Sequence, residues 1–172
     1  MKVQIGAHID GFAAVTGETI VVGATPQNPV TGRRADVLKA AYTAAEVAMR
    51  LVKVGNKNWA VTDAVNKVAA AWGCKPVEGR SRDRLRFQLA LLTLGSAGML
   101  SCHQEQNVID GKKRIVLNPS EAQKREFEAV TFAEGEIWGI DILVSSGEDG
   151  KVRKSFSAAL GTSDTFSDPN PR

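Results

Sequence analysis

Five side chains in this sequence have the chemistry to hold a metal ion if the fold brings them together: His8, Asp10, Glu18, His103 and Asp141. Imidazole nitrogens and carboxylate oxygens are the donors divalent ions use when they activate water. His8 and Asp10, two residues apart, share one face of an extended segment. Each group also has a plainer reading. His8 suits a neutral imidazole satisfied by a backbone or side-chain partner, and Asp10 precedes Gly11 as turn-forming aspartates do. His103 has no second ligand at metal spacing. Asp141 reads either as a carboxylate kept in a pocket or as one paired inside the fold. Nucleophilic chemistry is no better supplied. Cys74 and Cys102 lack a positioned histidine, they make neither a disulfide framework nor a zinc spacing, and no Gly-x-Ser-x-Gly turn occurs. The run Ser145-Ser-Gly-Glu-Asp-Gly150 leads into no periodic helix, so it reads as a turn rather than a phosphate cradle.

The elements that must carry these groups follow from periodicity. Lys2 to Gly23 predicts a hairpin: Val3, Ile5 and Ala7 alternate with Gln4, Gly6 and His8, a turn falls at Asp10-Gly11, and a second run ends in Thr19 to Val22. From Arg34 the apolar positions Val37, Ala41, Ala44, Ala48 and Leu51 recur at three and four, predicting an amphipathic helix stopped at Gly55. Thr62 is the predicted cap of a second helix, with Val65, Val68, Ala69 and Trp72 on one face and Gly73 at its end. Two successive helices need a flat layer to lie on. A short helix is expected through Leu85, Leu89 and Leu92. Another follows Asn118-Pro119-Ser120, with Pro119 in its first turn and Glu121 closing a capping box, and ends near Phe127. Glu136 to Ser145 alternates with apolar residues on both faces and predicts one well-buried strand. From Lys151 the chain turns polar and aperiodic, a loose tail.

Composition narrows the partners. With 43% apolar and 24% charged residues, the 172-residue chain suits one ordinary globular core. The longest apolar stretch, Phe87 to Leu100, is too short for a bilayer and is interrupted by Gly95 and Ser96, and no leader opens the chain, so no membrane association and an intracellular location are expected. A pI near 9.0 invites a nucleic-acid reading. Yet Arg80, Arg82, Arg84 and Arg86 against Asp83 account for the whole formal charge of +3, and the remaining residues sum to zero. The candidate phosphate contacts are Arg33 with Arg34, Lys112 with Lys113 and Arg114, and a third group at Lys151, Arg153 and Lys154. Aromatic residues make up only 6%, and Trp59, Trp72 and Trp138 fall at core or helix-end positions, away from the basic groups, which argues against a stacking platform for single strands.

Five blocks carry a resemblance: Gly6-Ala-His-Ile-Asp-Gly-Phe12, Val30-Thr-Gly-Arg-Arg-Ala-Asp-Val37, Leu51-Val-Lys-Val-Gly-Asn56, Val108-Ile-Asp-Gly111 and Ile140-Asp-Ile-Leu-Val-Ser-Ser-Gly-Glu148. Together, in this order, they resemble the proliferation-associated, ErbB-receptor-binding protein family, a branch of the methionine aminopeptidase superfamily. The resemblance covers residues 1–79 and 99–153. Residues 80–98 have no counterpart in it and read as an insertion in a domain of residues 1–153, and the tail 154–172 also departs from the pattern. It implies an α+β, partial pita-bread fold, a curved antiparallel sheet with helices packed on its outer face. Active members of the superfamily hold two metal ions with two aspartates, a histidine and two glutamates. By position, the resemblance puts Gln4 and Val15 in the aspartate places, Ser101 near the histidine's and Asp141 at the first glutamate's, with His8 beside them. A neutral amide and an isopropyl group cannot bridge two cations. These five residues are therefore expected to form a relic pocket with no catalytic residue, no metal and no cofactor. The resemblance implies a non-enzymatic binding protein that takes no small-molecule substrate. Its implied partners are structured RNA, ribosomal particles or growth-control proteins, in the cytoplasm, nucleus and nucleolus.

Overall fold

The computed structural model describes residues 1–77, 101–147 and 150. The expected insertion at 80–98, the short helix through Leu85, the tail from 154 and the third basic group lie outside these residues.

Strands β1 (Lys2–Ile9) and β2 (Phe12–Thr19) pair antiparallel from Lys2 opposite Thr19 to Ile9 opposite Phe12. Asp10 and Gly11 have φ of 50° and 86°. Two positive values in a two-residue loop make the turn whose twist matches that of the strands, and they explain the Asp-Gly pair. The predicted hairpin is present, although its second strand stops at Thr19, short of Val22. Among the described residues it forms a two-stranded sheet by itself, and Ile5, Ile9, Phe12 and Val15 stay 66%, 72%, 42% and 53% exposed. At its tip the Asn107 N–H donates to the Gly11 carbonyl (2.6 Å) and Gln106 Nε2 to the Asp10 carbonyl (2.8 Å).

Helices α1 (Arg33–Leu51) and α2 (Asn58–Ala71) run antiparallel. Ala40, Ala44 and Ala48 recur every fourth residue of α1 and are fully buried, small enough to let α2 approach closely. The predicted stripe has the right period, with Ala40 in place of Ala41 on its buried line. Helix α2 begins five residues earlier than predicted, with Lys57 and not Thr62 at the cap position and Asn58 as its first residue. The Asn58 amide Nδ2 donates to the carbonyls of Arg114 (2.9 Å) and Glu128 (3.1 Å). Its Oδ1 accepts the N–H groups of Trp59 (2.9 Å) and Val130 (3.0 Å). Thr62 lies inside the helix, where its hydroxyl donates to the Val116 carbonyl at 2.8 Å. At the far end Gly73, with φ of 61°, donates its N–H to Ala70, and the Cys74 N–H reaches back to Ala69, so the last carbonyls are satisfied. Trp72 is the cap residue there and sits on the surface instead of on the predicted core face.

The layer beneath the helices is built from short strands: β3 (Lys75–Pro76), β4 (Ser101–Gln104), β5 (Arg114–Ile115), β6 (Ile137–Gly139) and β7 (Val144–Ser145). They form one sheet of order β5-β4-β6 and a separate β3–β7 pair. The single buried strand expected over Glu136 to Ser145 is thus two strands with different partners. Where the chain changes partner, the Ser101 hydroxyl accepts the Asp141 N–H (2.8 Å) and donates to the Asp141 carbonyl (3.1 Å), taking the place of a ladder rung. The segment is half-buried because the helices cover one side of it. On that side Trp138, Ile140 and Ile142 meet Ala44, Ala48, Val61, Val65, Ile115, Leu117 and Phe132, the main core. Each fully buried Val or Ile there contributes roughly 1.5–3 kcal/mol relative to exposure. A third helix, α3 (Glu121–Glu126), is capped by Ser120, and its capping box closes through Gln123. Glu121 is one residue past the cap and too near to reach back, and Pro119 precedes the cap, so both predicted roles are corrected.

Candidate functional site

The pleat of the hairpin decides which of its residues share a side. Lys2, Gln4, Gly6 and His8 of β1 project to one face together with Ala13, Val15 and Gly17 of β2, since Gly6 lies opposite Val15 and Gln4 opposite Gly17. Gln4 and Val15 are therefore diagonal neighbours on one face, and His8 lies nearer the turn; all three are exposed. Ser101 and Asp141 belong to the body of the fold, where the two hydrogen bonds described above hold them together. Burial pushes the Asp141 carboxyl above the usual aspartate range, and the Lys2 ammonium pulls it back in part. Lys2 is the member of this constellation that sequence reasoning missed. Its parity with Gln4 was a usable signal for the face, whereas its closeness to Asp141 was not legible.

The other candidates are engaged separately. Asp10 serves the turn. The His103 ring meets the Trp138 ring edge-on, centroids 5.8 Å apart, with Nδ1 3.5 Å from the Glu105 carboxylate. The Cys102 thiol donates to the Ile109 carbonyl at 3.0 Å, and burial pushes it upward, away from the thiolate a nucleophile needs. The buried Cys74 thiol donates to the Trp72 carbonyl. Among the described residues no three His, Cys, Asp or Glu side chains converge on one point. An amide, an isopropyl group, a hydroxyl committed to backbone and one carboxylate do not fit a pair of divalent ions.

The basic groups divide by what already occupies them. Arg33 donates to the Trp72 (2.8 Å) and Gly73 (2.5 Å) carbonyls, a cation at the negative end of α2. Lys113 is ion-paired with Glu136, which also accepts the Ala133 N–H and the Trp138 indole N–H, each at 3.1 Å. Desolvation would raise the Glu136 carboxyl, but these donors outweigh it and hold the group at about 2. Arg114 Nε points at the Gly111 carbonyl, 3.4 Å away. Arg34 and Lys112 remain exposed, with no partner among the described residues. Arg33 stands at the C-terminal end of α2 and the Arg114 backbone beside its N-terminal Asn58, so the two groups are separated by roughly 20 Å, the length of that helix. They do not converge into one patch. Sequence reasoning also missed a pair of hollows, of about 500 and 680 Å³, beside α2; both are lined by Asn66 and Asn118, and neither adjoins the hairpin.

Helices packed on one side of a layer of short antiparallel strands, with an antiparallel hairpin before them, place the chain in the α+β class. It belongs to metallopeptidase family M24, whose sequence model matches residues 1–153. The chain is 48% identical over 155 residues to the "Curved DNA-binding protein" of Schizosaccharomyces pombe, covering 90% of this chain and 35% of that one. It is 47% identical over 153 residues to "ERBB-3 binding protein 1" of Solanum tuberosum, covering 89% and 33%. A solved structure of a thermophilic Arx1 superposes with a TM-score of 0.64 at 27% identity, over 90% of this chain and 41% of that one. The resemblance to the ErbB-receptor-binding branch and the partial pita-bread fold it implied are thereby borne out. The chain spans about a third of the length of the curated relatives it matches. Among the described residues no helix is long and apolar enough to cross a membrane.

Proposed function

We propose that this M24 member works by binding and not by cutting, and that structured RNA, alone or within ribosomal particles, is its principal partner. The observation that carries the non-catalytic half is that Gln4 and Val15 share one hairpin face as diagonal neighbours, with the Lys2 ammonium acting electrostatically on the Asp141 carboxyl. A lysine ammonium near that carboxyl opposes a second cation and activates no water. The names of the two curated relatives, one for binding curved DNA and one for binding ErbB-3, support a binding role. For the nucleic-acid half the support is Arg34 and Lys112, basic side chains free to meet phosphates, flanked by the partly committed Arg33, Lys113 and Arg114. Groups about 20 Å apart suit a backbone-tracking contact and not a single-strand pocket. Growth-control proteins are secondary partners in this reading, which places the protein in cytoplasm and nucleus. It also takes residues 1–153 as the binding domain, with 80–98 as an insertion and 154–172 as a tail.

A gel shift with a structured RNA at low and moderate salt tests it. Binding is expected to weaken as salt rises, and Arg34→Ala and Lys112→Ala should each lower affinity several-fold and flatten the salt slope by about one unit. An absence of binding at both salt concentrations would remove RNA from the account. Release of methionine from a short peptide with added cobalt or manganese is expected to be nil; turnover accompanied by stoichiometric metal would restore the peptidase reading.

A further inference from the structure

The smaller hollow beside α2, of about 500 Å³, is lined by three polar side chains that the fold itself leaves unused. Trp59, Asn66 and Asn118 are half-buried, and neither the indole N–H nor either side-chain amide has a hydrogen-bond partner among the described residues. No sealed polar side-chain atom there lacks a partner, so these groups face water across the hollow they line. Trp59, Asp63 and Asn66 stand at i, i+4 and i+7 of α2, on a stripe beside the buried line of Val61, Val65 and Ala69. An asparagine inside a helix is unfavourable by propensity, and one that makes no bond there is not explained by the fold. Asn118 has φ of 45°, and Gly150 packs so closely on it that a Cβ at Gly150 would lie 2.7 Å from the amide nitrogen. Its amide is thus held in place before any ligand arrives.

The ligand follows from these groups. An indole offers a flat apolar face, and each amide offers a donor beside an acceptor, the pattern that pairs with an adenine edge. Adenine repeats that pattern on both sides of its N6 amino group, with N1 as the acceptor on one side and N7 on the other, so two amides suit it. Guanine presents two acceptors at N7 and O6, and a pyrimidine has no ring nitrogen on its second edge. Charge selects an anion. Lys124 lines this hollow, Arg33 and Lys75 line its neighbour, and Asp63 is the one carboxylate among the described residues lining either. The Lys124–Glu121 pair is exposed and weak enough to yield to a phosphate. Asn58, next to Trp59, holds the Arg114 carbonyl, so the two hollows run between the basic groups at the ends of α2.

We infer that this hollow is a nucleotide site that takes an unpaired adenine, stacked on Trp59 and held at its edges by Asn66 and Asn118, with Lys124 on its phosphate. The site rests on the RNA reading above for the source of the base, a bulge or loop of a structured RNA whose flanking phosphates reach the basic groups. One indole serves one base and not a run of them, so the scarcity of aromatic residues is no obstacle.

Tryptophan fluorescence of the 172-residue chain tests it, titrated with AMP, with UMP and with three RNA hairpins: fully paired, with one bulged adenine, and with one bulged uracil. The adenine bulge is expected to quench the emission and to bind about tenfold more tightly than either other hairpin. AMP should quench at higher concentration, and UMP should not. Asn66→Ala and Asn118→Gly should each remove most of the adenine preference; glycine keeps the positive φ at 118. Neither amide bonds within the fold, so both variants should melt within about 2 °C of the parent. Trp59→Phe should abolish the quench while keeping part of the preference. Equal affinity for the two bulges with no response to AMP would overturn the site and leave Arg34 and Lys112 as RNA contacts. A response to AMP that Asn66→Ala removes, with no hairpin bound, would keep the site for the free nucleotide and remove the RNA reading instead. A quench unchanged in Trp59→Phe, or a preference unchanged in both asparagine variants, would overturn the assignment of the base to this hollow. A response to a short acidic peptide and to no nucleotide would give the hollow to a protein partner and overturn it as well.

Discussion

The helix-and-strand body and the hairpin arm are made by the same chain to opposite standards of completion. In the body Asn58 is 3% exposed and uses both amide hydrogens and both lone pairs of its side-chain oxygen, and the carbonyls at the end of α2 are answered by Gly73, Cys74 and Arg33. In the arm, four large apolar side chains stand at 42% exposure or more, and the two outer strand edges pair with no other described strand. The difference teaches where the free energy of this fold resides. Buried polar groups in the body are costly to leave unpaired, so each partner there is strongly specified. The arm carries no such penalty because water still reaches it.

The largest effect should come from breaking the body at its polar node. Asn58→Ala removes four hydrogen bonds at once and leaves the carbonyls of Arg114 and Glu128 and the Val130 N–H without their partner in a part-buried region. At about 1–3 kcal/mol for each uncompensated group, partly relieved by relaxation, a loss of about 3 kcal/mol is expected, which lowers the melting temperature by roughly 10 °C. Chemical denaturation read by circular dichroism measures it. A loss below about 1 kcal/mol would mean that the node is less closed than its hydrogen bonds suggest, and the contrast with the arm would weaken.

That node also marks where sequence reasoning stops. Asp10-Gly11 and Gly73 were legible because a turn and a helix end are decided by residues within three or four positions of each other. The start of α2 was misplaced because Asn58 gains its role from residues 114, 128 and 130, which no local pattern brings near. The stretch from Glu136 to Ser145 displayed its apolar alternation, but alternation says nothing about which strand lies alongside, so the change from β4 to β3 was hidden. In the candidate site, period two was enough to put Gln4 and Val15 on one face. The approach of Lys2 to Asp141 depends on how the arm leans on the body, a tertiary matter. The basic groups were visible as charges, whereas the commitment of Arg33 to carbonyls and of Lys113 to Glu136 was not.

A smaller effect should follow acid. The Glu136 carboxyl lies at about 2 in the folded chain, below its ordinary value of 4.5, because Lys113 and two N–H donors favour its charged form. With the folded value below the unfolded one, the unfolded chain binds the extra proton between them. The stabilisation is therefore complete above about pH 4.5 and lost as pH falls toward 2. Allowing for the partial exposure of Lys113, the loss should be about 1–2 kcal/mol. Urea midpoints measured from pH 6 to pH 2 should decline over that window, and Glu136→Gln should flatten the decline while lowering stability at neutral pH. An unchanged slope in the variant would assign the acid sensitivity to other carboxylates.

The smallest effect, and the sharpest test of the contrast, belongs to the arm. Ile9 is 72% exposed, opposite Phe12 and beside the turn, so replacing it with lysine removes little buried apolar surface and adds a charge that water can solvate. Surface substitutions of this kind usually change stability by no more than about 0.5 kcal/mol. Lysine is also a residue that strand edges tolerate well. Ile9→Lys in the isolated chain should therefore melt within about 2 °C of the parent, by differential scanning calorimetry, where Asn58→Ala has moved by several times as much. A drop of 2 kcal/mol or more would show that Ile9 is packed in solution against part of the same chain. The arm would then already be covered, and its contrast with the body would close.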